Sequence, residues 1–315
     1  MIWLTWRQFR TQAAVVFGAL AVLALVLTVT GLHLRHLYDA SGIATCTTRG
    51  DCDPVTSAFM SNYSLLRQLL GPTVLVLPAI TGIFWGAPLV ARELESGTYR
   101  LAWTQSVSRT RWLTGKLTVV GLASIAASGL LSLLVTWWSS PIDRVNAERF
   151  KADVFNERGI TPIGYAAFAF ALGLVAGLLI RRTLPAMATT LVGYIAAQVA
   201  VINWIRPNLR APLHATGALQ PLPGAGAFKP GAQLTKPGDW IISSHILDAT
   251  GHATNTIRIG PDAGCVTTRT CLAGYREVLT YQPAGRYWPF QWYETSIYLS
   301  VALVLVGFTF WLIKR

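Results

Sequence analysis

Four cysteines are the residues of this chain with the most recognisable chemistry. They form two Cys-x5-Cys pairs, CTTRGDC from Cys46 to Cys52 and CVTTRTC from Cys265 to Cys271. Closely spaced cysteines form disulfides in an oxidising compartment, and pairing within each segment is the simplest of three connectivities. A bridge between the two segments remains an alternative. A metal site at this spacing would need a close histidine to complete the ligands, and the sequence places none there.

The sequence carries no motif for catalysis or for nucleotide binding. It contains neither a GxxxxGK[ST] run nor an HExxH pair. Ser124, Ser128 and Ser132 recur at helical spacing, but no base is placed to activate them, so we interpret them as helix-packing residues. The chain is therefore expected not to be an enzyme, and to hold neither a cofactor nor a metal.

A polar stretch between two apolar segments is the second candidate site. It reads VARELESGTYRLAWTQSVSRTRWLTGK, from Val90 to Lys116. Gly97 favours a helix stop, because glycine adopts the left-handed conformation at little cost. Thr98 can cap a short helix, and Ser106 or Ser108 can cap the helix that follows. The pattern predicts a helix, a break, a short crossing helix, a second break and a helix.

The short helix of this hairpin would present side chains suited to protein contacts. Tyr, Trp and Arg are enriched where proteins bind proteins, and this segment holds Tyr99, Arg100, Leu101 and Trp103. The alternative is a loop whose basic residues set the topology or contact anionic lipid. The residues alone leave both interpretations open.

The elements that must position this hairpin are apolar. Of the 315 residues, 52% are hydrophobic and 13% are charged, against about 25% charged residues in soluble domains. Six apolar runs approach the roughly 20 residues that cross a bilayer, where the backbone is expected to be helical. The predicted spans are Gln12–Leu32, Leu70–Val90, Leu117–Trp138, Pro162–Ile180, Leu184–Ile205 and Thr295–Ile313. Three residues separate the fourth and fifth spans, which predicts an antiparallel pair.

The charge distribution predicts the orientation of these spans. With the N-terminus inside, the cytoplasmic segments hold eleven basic residues and only two acids, Glu93 and Glu95. The other side holds fifteen basic and twelve acidic residues, spread over longer loops. The positive-inside rule therefore places both termini in the cytoplasm of a multi-pass plasma-membrane protein. The net charge of +12 does not indicate nucleic acid binding, because the basic residues are not clustered on one soluble module.

Two flanking segments have patterns of their own. At the N-terminus, residues 1–11 place Ile2, Trp3, Trp6 and Phe9 on one helical face, which predicts a helix in the cytoplasmic interface or a plain flank of the first span. The long segment 206–294 begins with Pro and Gly and continues with alternating runs, DWIISSHI and NTIRI. These runs are interpreted as strands of a small extracellular subdomain.

The hairpin resembles the first cytoplasmic loop of the type-2 ABC exporter permeases. In that family an E-x-G-T stretch follows the second span, and a PVSRTRW…GK-like stretch opens the third. The residues that fit this pattern are Glu93, Glu95, Gly97, Thr98, Ser106, Val107, Ser108, Arg109 and Lys116. The family often has proline where Gln105 or Ser106 stands, so the chain departs from the pattern there.

This resemblance implies an all-α, six-helix permease domain over residues 1–315, with an interfacial helix at 1–11 and a coupling hairpin at 91–116. It implies that two copies, or one copy and a relative, pair in the membrane. Two separate ABC ATP-binding subunits would carry ATP and Mg²⁺ and dock on the hairpin to drive export. The partner-binding residues would be Arg92, Glu93, Glu95, Gly97, Thr98, Tyr99, Arg100, Leu101, Trp103 and Arg109. An uncharged pathway would suit amphipathic substrates such as drugs or peptides.

Two other functions fit parts of the sequence. A membrane-anchored sensor with a disulfide-bearing outer loop would use the hairpin to contact a signalling protein, and it predicts no ATPase partner. A membrane-embedded enzyme would need a convergent polar site at the bilayer surface, for which the sequence gives no candidate.

Overall fold

The structure is a computed structural model that describes residues 2–43, 53–97, 108–145, 149–219, 234–254, 272 and 274–314. The chain divides into two compact units. A membrane unit contains residues 1–145, 152–203 and 289–315, and a sheet unit contains residues 146–151 and 204–288. The predicted disulfide residues Cys46, Cys52, Cys265 and Cys271 lie outside the described residues, so their pairing stays a prediction.

Within the described residues, six helices are long and apolar enough to cross a membrane, as the sequence predicts. Numbered in chain order, spans one to six are Phe9–Ala40, Ser64–Ser96, Arg109–Val145, Thr161–Ile180, Thr183–Asn208 and Ala284–Lys314. The α-helical segments are Ile2–Ala40, Asp53–Ser61, Ser64–Thr81, Ala87–Ser96, Arg109–Lys116, Leu122–Val145, Ala152–Glu157, Thr161–Ile180, Thr183–Ala200, Arg206–Asn208 and Tyr287–Lys314. A 3₁₀ turn, Ala284–Arg286, precedes the last helix. Spans four and five form the predicted tight pair, with only Arg181 and Arg182 between their helices.

The N-terminal residues do not form a separate interfacial helix. One helix runs without interruption from Ile2 to Ala40, because no glycine or proline breaks the chain before the first span. Phe9 is buried against Trp85 of span two, with ring centroids 4.7 Å apart, whereas Trp3 and Trp6 are exposed. Residues 2–11 are therefore continuous with the helix of span one, and their place in the cytoplasmic interface stays a prediction.

Span one packs on span three through residues seven positions apart. Leu20, Leu27 and Leu34 are buried at this spacing, which returns to the same side of a helix every two turns. Trp138 of span three lies in the same cluster, and its Nε1 donates a hydrogen bond of 3.0 Å to Thr30 Oγ1. The hydrogen bond fixes the register of the two helices.

Spans two, three and five each contain one π-helical turn. These turns are Gly82–Gly86, Leu117–Gly121 and Val201–Ile205. Pro72 and Pro78 lie inside the helix of span two, where a missing N–H weakens the helical ladder. The π-helical turn of span two begins four residues beyond Pro78. Such turns are often found at functional sites.

Glycines bring spans two and four into backbone contact. A Cβ at Gly86 would lie 2.7 Å from the carbonyl oxygen of Phe170, and a Cβ at Gly177 would lie 2.5 Å from that of Ala87. These glycines therefore support close helix packing within one chain. Small side chains allow this approach where apolar helices gain little from hydrophobic burial.

The all-α fold class is correct for the membrane unit only. The sheet unit contains four described strands, which are Leu213–Ala218 (β1), Trp240–Leu247 (β2), Ala253–Thr254 (β3) and Arg276–Gln282 (β4). They pair in an antiparallel sheet in the order β1-β4-β2-β3. DWIISSHI is a strand as predicted, and NTIRI lies outside the described residues. In β4, Glu277 and Leu279 point to the buried side, the alternation of a sheet with one covered face.

Candidate functional site

The first half of the polar hairpin is a helix that ends at glycine. This outgoing stalk is Ala87–Ser96, and Gly97 follows it with φ of 72° in the left-handed region. A Cβ at Gly97 would meet no atom within 4 Å, so the glycine is required by the backbone conformation and not by space. The predicted helix stop is confirmed.

The hairpin returns through a capped helix. This returning stalk is Arg109–Lys116, and the Oγ of Ser108 accepts a hydrogen bond of 3.3 Å from the backbone N–H of Arg111. Ser108 is one of the two capping residues that the sequence offers. Trp112 and Leu113 are buried, whereas Arg111 is exposed. One side of the stalk therefore faces the bundle, and the other carries the basic side chains.

An ion pair joins the two stalks at their bases. The Nζ of Lys116 donates to the carboxylate of Glu93 and, at 3.3 Å, to the carbonyl oxygen of Leu89. The same ammonium lies 4.6 Å from the ring centroid of Trp112, a favourable cation–π distance. The Lys116 side chain is 6% exposed and that of Glu93 is 21% exposed. The buried ammonium thus contacts three groups, and two of them, Glu93 and the carbonyl of Leu89, lie on the other stalk.

The second acidic residue of the hairpin binds the turn between spans four and five. Glu95 Oε2 accepts two hydrogen bonds from Thr183, one from the backbone N–H at 2.9 Å and one from Oγ1 at 2.7 Å. Thr183 is the first residue of the span-five helix, and Arg182 before it provides no side-chain cap. Glu95 therefore caps span five from span two.

The other predicted partner-binding residues fall into two groups. Arg92 is exposed, and Arg109 is exposed with its guanidinium 3.5 Å from the carbonyl oxygen of Ile313 in span six. The remaining residues lie outside the described part of the chain: Thr98, Tyr99, Arg100, Leu101 and Trp103. Glu93, Glu95 and Arg109 lie on the two stalks, whereas the predicted short helix falls outside the described residues.

A polar network at the opposite end of the bundle was missed by the sequence reasoning. Gln291 of span six is fully buried, and its Oε1 accepts from the backbone N–H groups of Ile160 (3.1 Å) and Thr161 (3.2 Å) at the start of span four. Its Nε2 donates to the carbonyl oxygen of Phe155 at 3.0 Å. Gln291 thus caps span four from span six, as Glu95 caps span five from span two.

A carboxylate lies beside this cap. Glu294 is fully buried in the helix of span six, and the hydroxyl of Tyr165 in span four lies 2.5 Å from its Oε1. The sequence analysis placed Glu294 at the end of the long segment 206–294 and began span six at Thr295. In the structure the helix that contains span six already begins at Tyr287, so Glu294 lies inside this helix.

The serines of span three join neighbouring elements within the chain. Ser124 Oγ donates to Thr81 Oγ1 of span two at 2.8 Å, and Ser132 Oγ donates to the carbonyl oxygen of Gly159 at 2.8 Å. Ser128 is buried between them, and its hydroxyl has no hydrogen-bond partner among the described residues. The packing role predicted for these serines is therefore supported at Ser124 and Ser132.

The family of the chain follows from one comparison. A family model described as ABC-2 membrane transporter related matches residues 17–206, which is more than half of the chain. The chain belongs to the ABC-2 membrane transporter related family. No curated protein and no solved structure matches the chain.

The residues matched by the ABC-2 family model include the polar hairpin. The matched residues of this ABC-2 chain contain both stalks, the segment between them and the Glu95–Thr183 contact. Span six and nearly all of the sheet unit lie beyond the match. The resemblance seen in the hairpin sequence is thereby confirmed at the level of the family.

Proposed function

We propose that this chain is the permease subunit of an ATP-driven exporter, and that residues 98–107 dock a separate ABC ATP-binding subunit. The observation that carries the proposal is the ion pair between Lys116 and Glu93. It fixes the spacing of two helices whose ends hold the docking segment. When a partner moves this segment, the two linked helices move spans two and three together. A loop that only sets the topology would not need an ion pair between its two helices.

The charges at the hairpin end support a cytoplasmic location. Both acidic residues at this end interact within the chain: Glu93 forms an ion pair with Lys116, and Glu95 accepts hydrogen bonds from Thr183. Basic side chains are exposed around them: Arg7, Arg10, Arg92, Arg109, Arg111, Arg181, Arg182 and Lys314. An excess of exposed arginine and lysine is typical of the cytoplasmic side of a membrane protein. We therefore place both termini and the hairpin in the cytoplasm.

ATP hydrolysis is assigned to the partner. ATP-binding subunits would hold ATP and Mg²⁺, and their closure would move the stalks relative to the rest of the bundle. Two copies of this chain, or one copy and a relative, would form the pathway for an amphipathic molecule such as a drug or a peptide. In this account the membrane chain supplies the pathway and the docking segment, and the partner supplies the energy.

Co-purification tests the proposal directly. The tagged chain is purified in mild detergent, and each protein that accompanies it is identified by mass spectrometry. We expect a P-loop ATPase in stoichiometric amount, lost when residues 98–107 are replaced by a Gly/Ser linker of equal length. The control replaces residues 220–229 of the sheet unit by the same linker, and it should retain the ATPase. If a kinase or a regulator accompanies the chain instead, the sensor alternative replaces this proposal.

A further inference from the structure

Span five begins without a capping residue of its own. The first four N–H groups of a helix have no partner within that helix, and Ser, Thr, Asp or Asn at the preceding position usually accepts one of them. Here Arg182 holds that position with an extended backbone and no side-chain cap. The acceptor is the carboxylate of Glu95, which is distant in sequence and close in space.

Glu95 lies at the point where the hairpin leaves the bundle. It is two residues before the left-handed stop at Gly97 and is exposed, so burial does not explain its position. Its charge suits the positive end of the span-five helix dipole. Its two hydrogen bonds therefore attach the last turn of the outgoing stalk to the first turn of span five.

The rest of the outgoing stalk packs on the same pair of spans. Ala87 and Ala91 of the stalk form one buried cluster with Ala176 of span four and Ala186 of span five. These small side chains allow close contact along the stalk, and Glu95 extends the contact to its end. The returning stalk also contacts span six, because Trp112 and Leu113 share a buried cluster with Ile313, together with Val90 of the outgoing stalk and Leu174 of span four.

We propose that Glu95 is a positioning residue that transmits movement of the hairpin to span five through Thr183. The proposal rests on the function proposed above and adds the route that the movement takes. A push on the docking segment moves the outgoing stalk, and the hydrogen-bonded carboxylate pulls the start of span five with it. Without this link the docking segment still binds its partner and the returning stalk still responds, but span five follows less, because only the packing of Ala87 and Ala91 on Ala186 remains.

The test measures nucleotide-dependent cysteine labelling in the assembled complex. The native cysteines are replaced by serine, and the chain is reconstituted in nanodiscs with its co-purifying ATPase. One reporter cysteine replaces Asn203, a polar and exposed residue near the end of span five where a thiol can react in water, and a second reporter, in a separate protein, replaces the exposed Arg111 on the returning stalk. Maleimide labelling is compared without nucleotide and after trapping with ATP and vanadate.

Four substitutions distinguish loss of the Glu95–Thr183 hydrogen bonds from nonspecific destabilisation of the protein. Glu95→Ala removes the acceptor, and Glu95→Gln keeps an oxygen at the same distance. Thr183→Val removes the hydroxyl but keeps the backbone donor, and Thr183→Ser keeps both donors. The matched control is Thr189→Val, which alters an exposed threonine of the same helix whose hydroxyl bonds only within that helix.

In the wild type we expect both reporters to change their labelling on trapping. In Glu95→Ala the span-five response should be strongly reduced, while ATPase docking and the Arg111→Cys response persist. Thr183→Val should give a partial loss, and Glu95→Gln, Thr183→Ser and Thr189→Val should behave as wild type. An unchanged span-five response in Glu95→Ala, with the ATPase bound, would overturn this inference and leave the proposed function intact. Failure of the wild type to bind an ATPase would overturn both.

Discussion

Lys116 and Glu93, which are 23 residues apart in the chain, form an ion pair between the bases of the two stalks. The two partners differ in their surroundings, because the Lys116 side chain is 6% exposed and the Glu93 side chain is 21% exposed. This difference means that the two single substitutions should have unequal effects. It also explains how a lysine is tolerated among apolar helices, since its charge is paired and its remaining donors are satisfied.

Removing the acid should cost more stability than removing the base. Glu93→Ala leaves a buried ammonium without its counter-ion, a change that costs about 3–5 kcal/mol. Lys116→Met leaves a carboxylate that water can reach, at about 1–3 kcal/mol. The measurement is thermal unfolding of the purified variants in one detergent, with Arg92→Ala as the exposed neighbour control. A double variant as unstable as the sum of both would contradict the pairing, and equal losses in the two single variants would contradict the role of their unequal burial.

Methyl groups at the glycine contacts should separate spans two and four. Gly86→Ala and Gly177→Ala each place a carbon within 2.7 Å of a backbone carbonyl oxygen on the facing helix, and overpacking of this kind costs about 1–3 kcal/mol. Gly18→Ala in span one meets no atom within 4 Å and should be neutral or slightly stabilising, since alanine favours a helix over glycine by about 1 kcal/mol. Apparent Tm values of the three variants check this. A Gly18→Ala protein as unstable as the other two would show that the contacts are not responsible.

Substitution of Gln291 should release the start of span four. Gln291→Leu keeps the side-chain volume but removes three hydrogen bonds, to Ile160, Thr161 and Phe155. Each buried backbone group that loses its partner costs about 1–3 kcal/mol. We expect faster hydrogen exchange of residues 155–161, measured by mass spectrometry, while the hairpin end remains protected. Tyr293→Phe, an exposed change on the same helix, is the control, and equal exchange in both variants would refute the role of Gln291.

The orientation of the spans predicts which positions an impermeant reagent reaches. On a cysteine-free background, Thr250→Cys lies on the exposed turn after β2, and Arg111→Cys lies on the exposed side of the returning stalk. We expect a membrane-impermeant maleimide to label Thr250→Cys in intact cells, and Arg111→Cys only after permeabilisation. The reverse pattern would place the hairpin outside and exclude docking of a cytoplasmic ATPase.

Features that depend on neighbouring residues in the chain could be predicted from the sequence. The six spans follow from apolar length alone, the stop at Gly97 from the conformational freedom of glycine, and the cap at Ser108 from its position before a helical pattern. Helix ends were less predictable. Glu294 was placed outside span six because a carboxylate interrupts an apolar run, and hydropathy does not register the Tyr165 hydroxyl that contacts it.

Contacts between distant segments had weaker signals. Glu95 and Gln291 cap helices that lie far from them in sequence, and no local pattern encodes such a pair. The buried face of span six did leave a trace, since Gln291, Thr295 and Tyr298 recur at helical spacing. Among the strands, β4 alternates and could have been found, whereas β1, which reads LHATGA, contains alanine and glycine with little preference for a strand.

Photo-crosslinking from the hairpin in intact membranes tests the central claim most directly. A photoreactive amino acid replaces Tyr99 or Trp103, and a control chain carries it at Trp204, which is exposed near the end of span five. We predict that Tyr99 and Trp103 crosslink to one protein, a P-loop ATPase, and that the Trp204 position does not. Crosslinks from Tyr99 and Trp103 to lipid alone, or to a protein without a nucleotide-binding motif, would contradict the assignment of this hairpin as the docking site of an ATP-driven exporter.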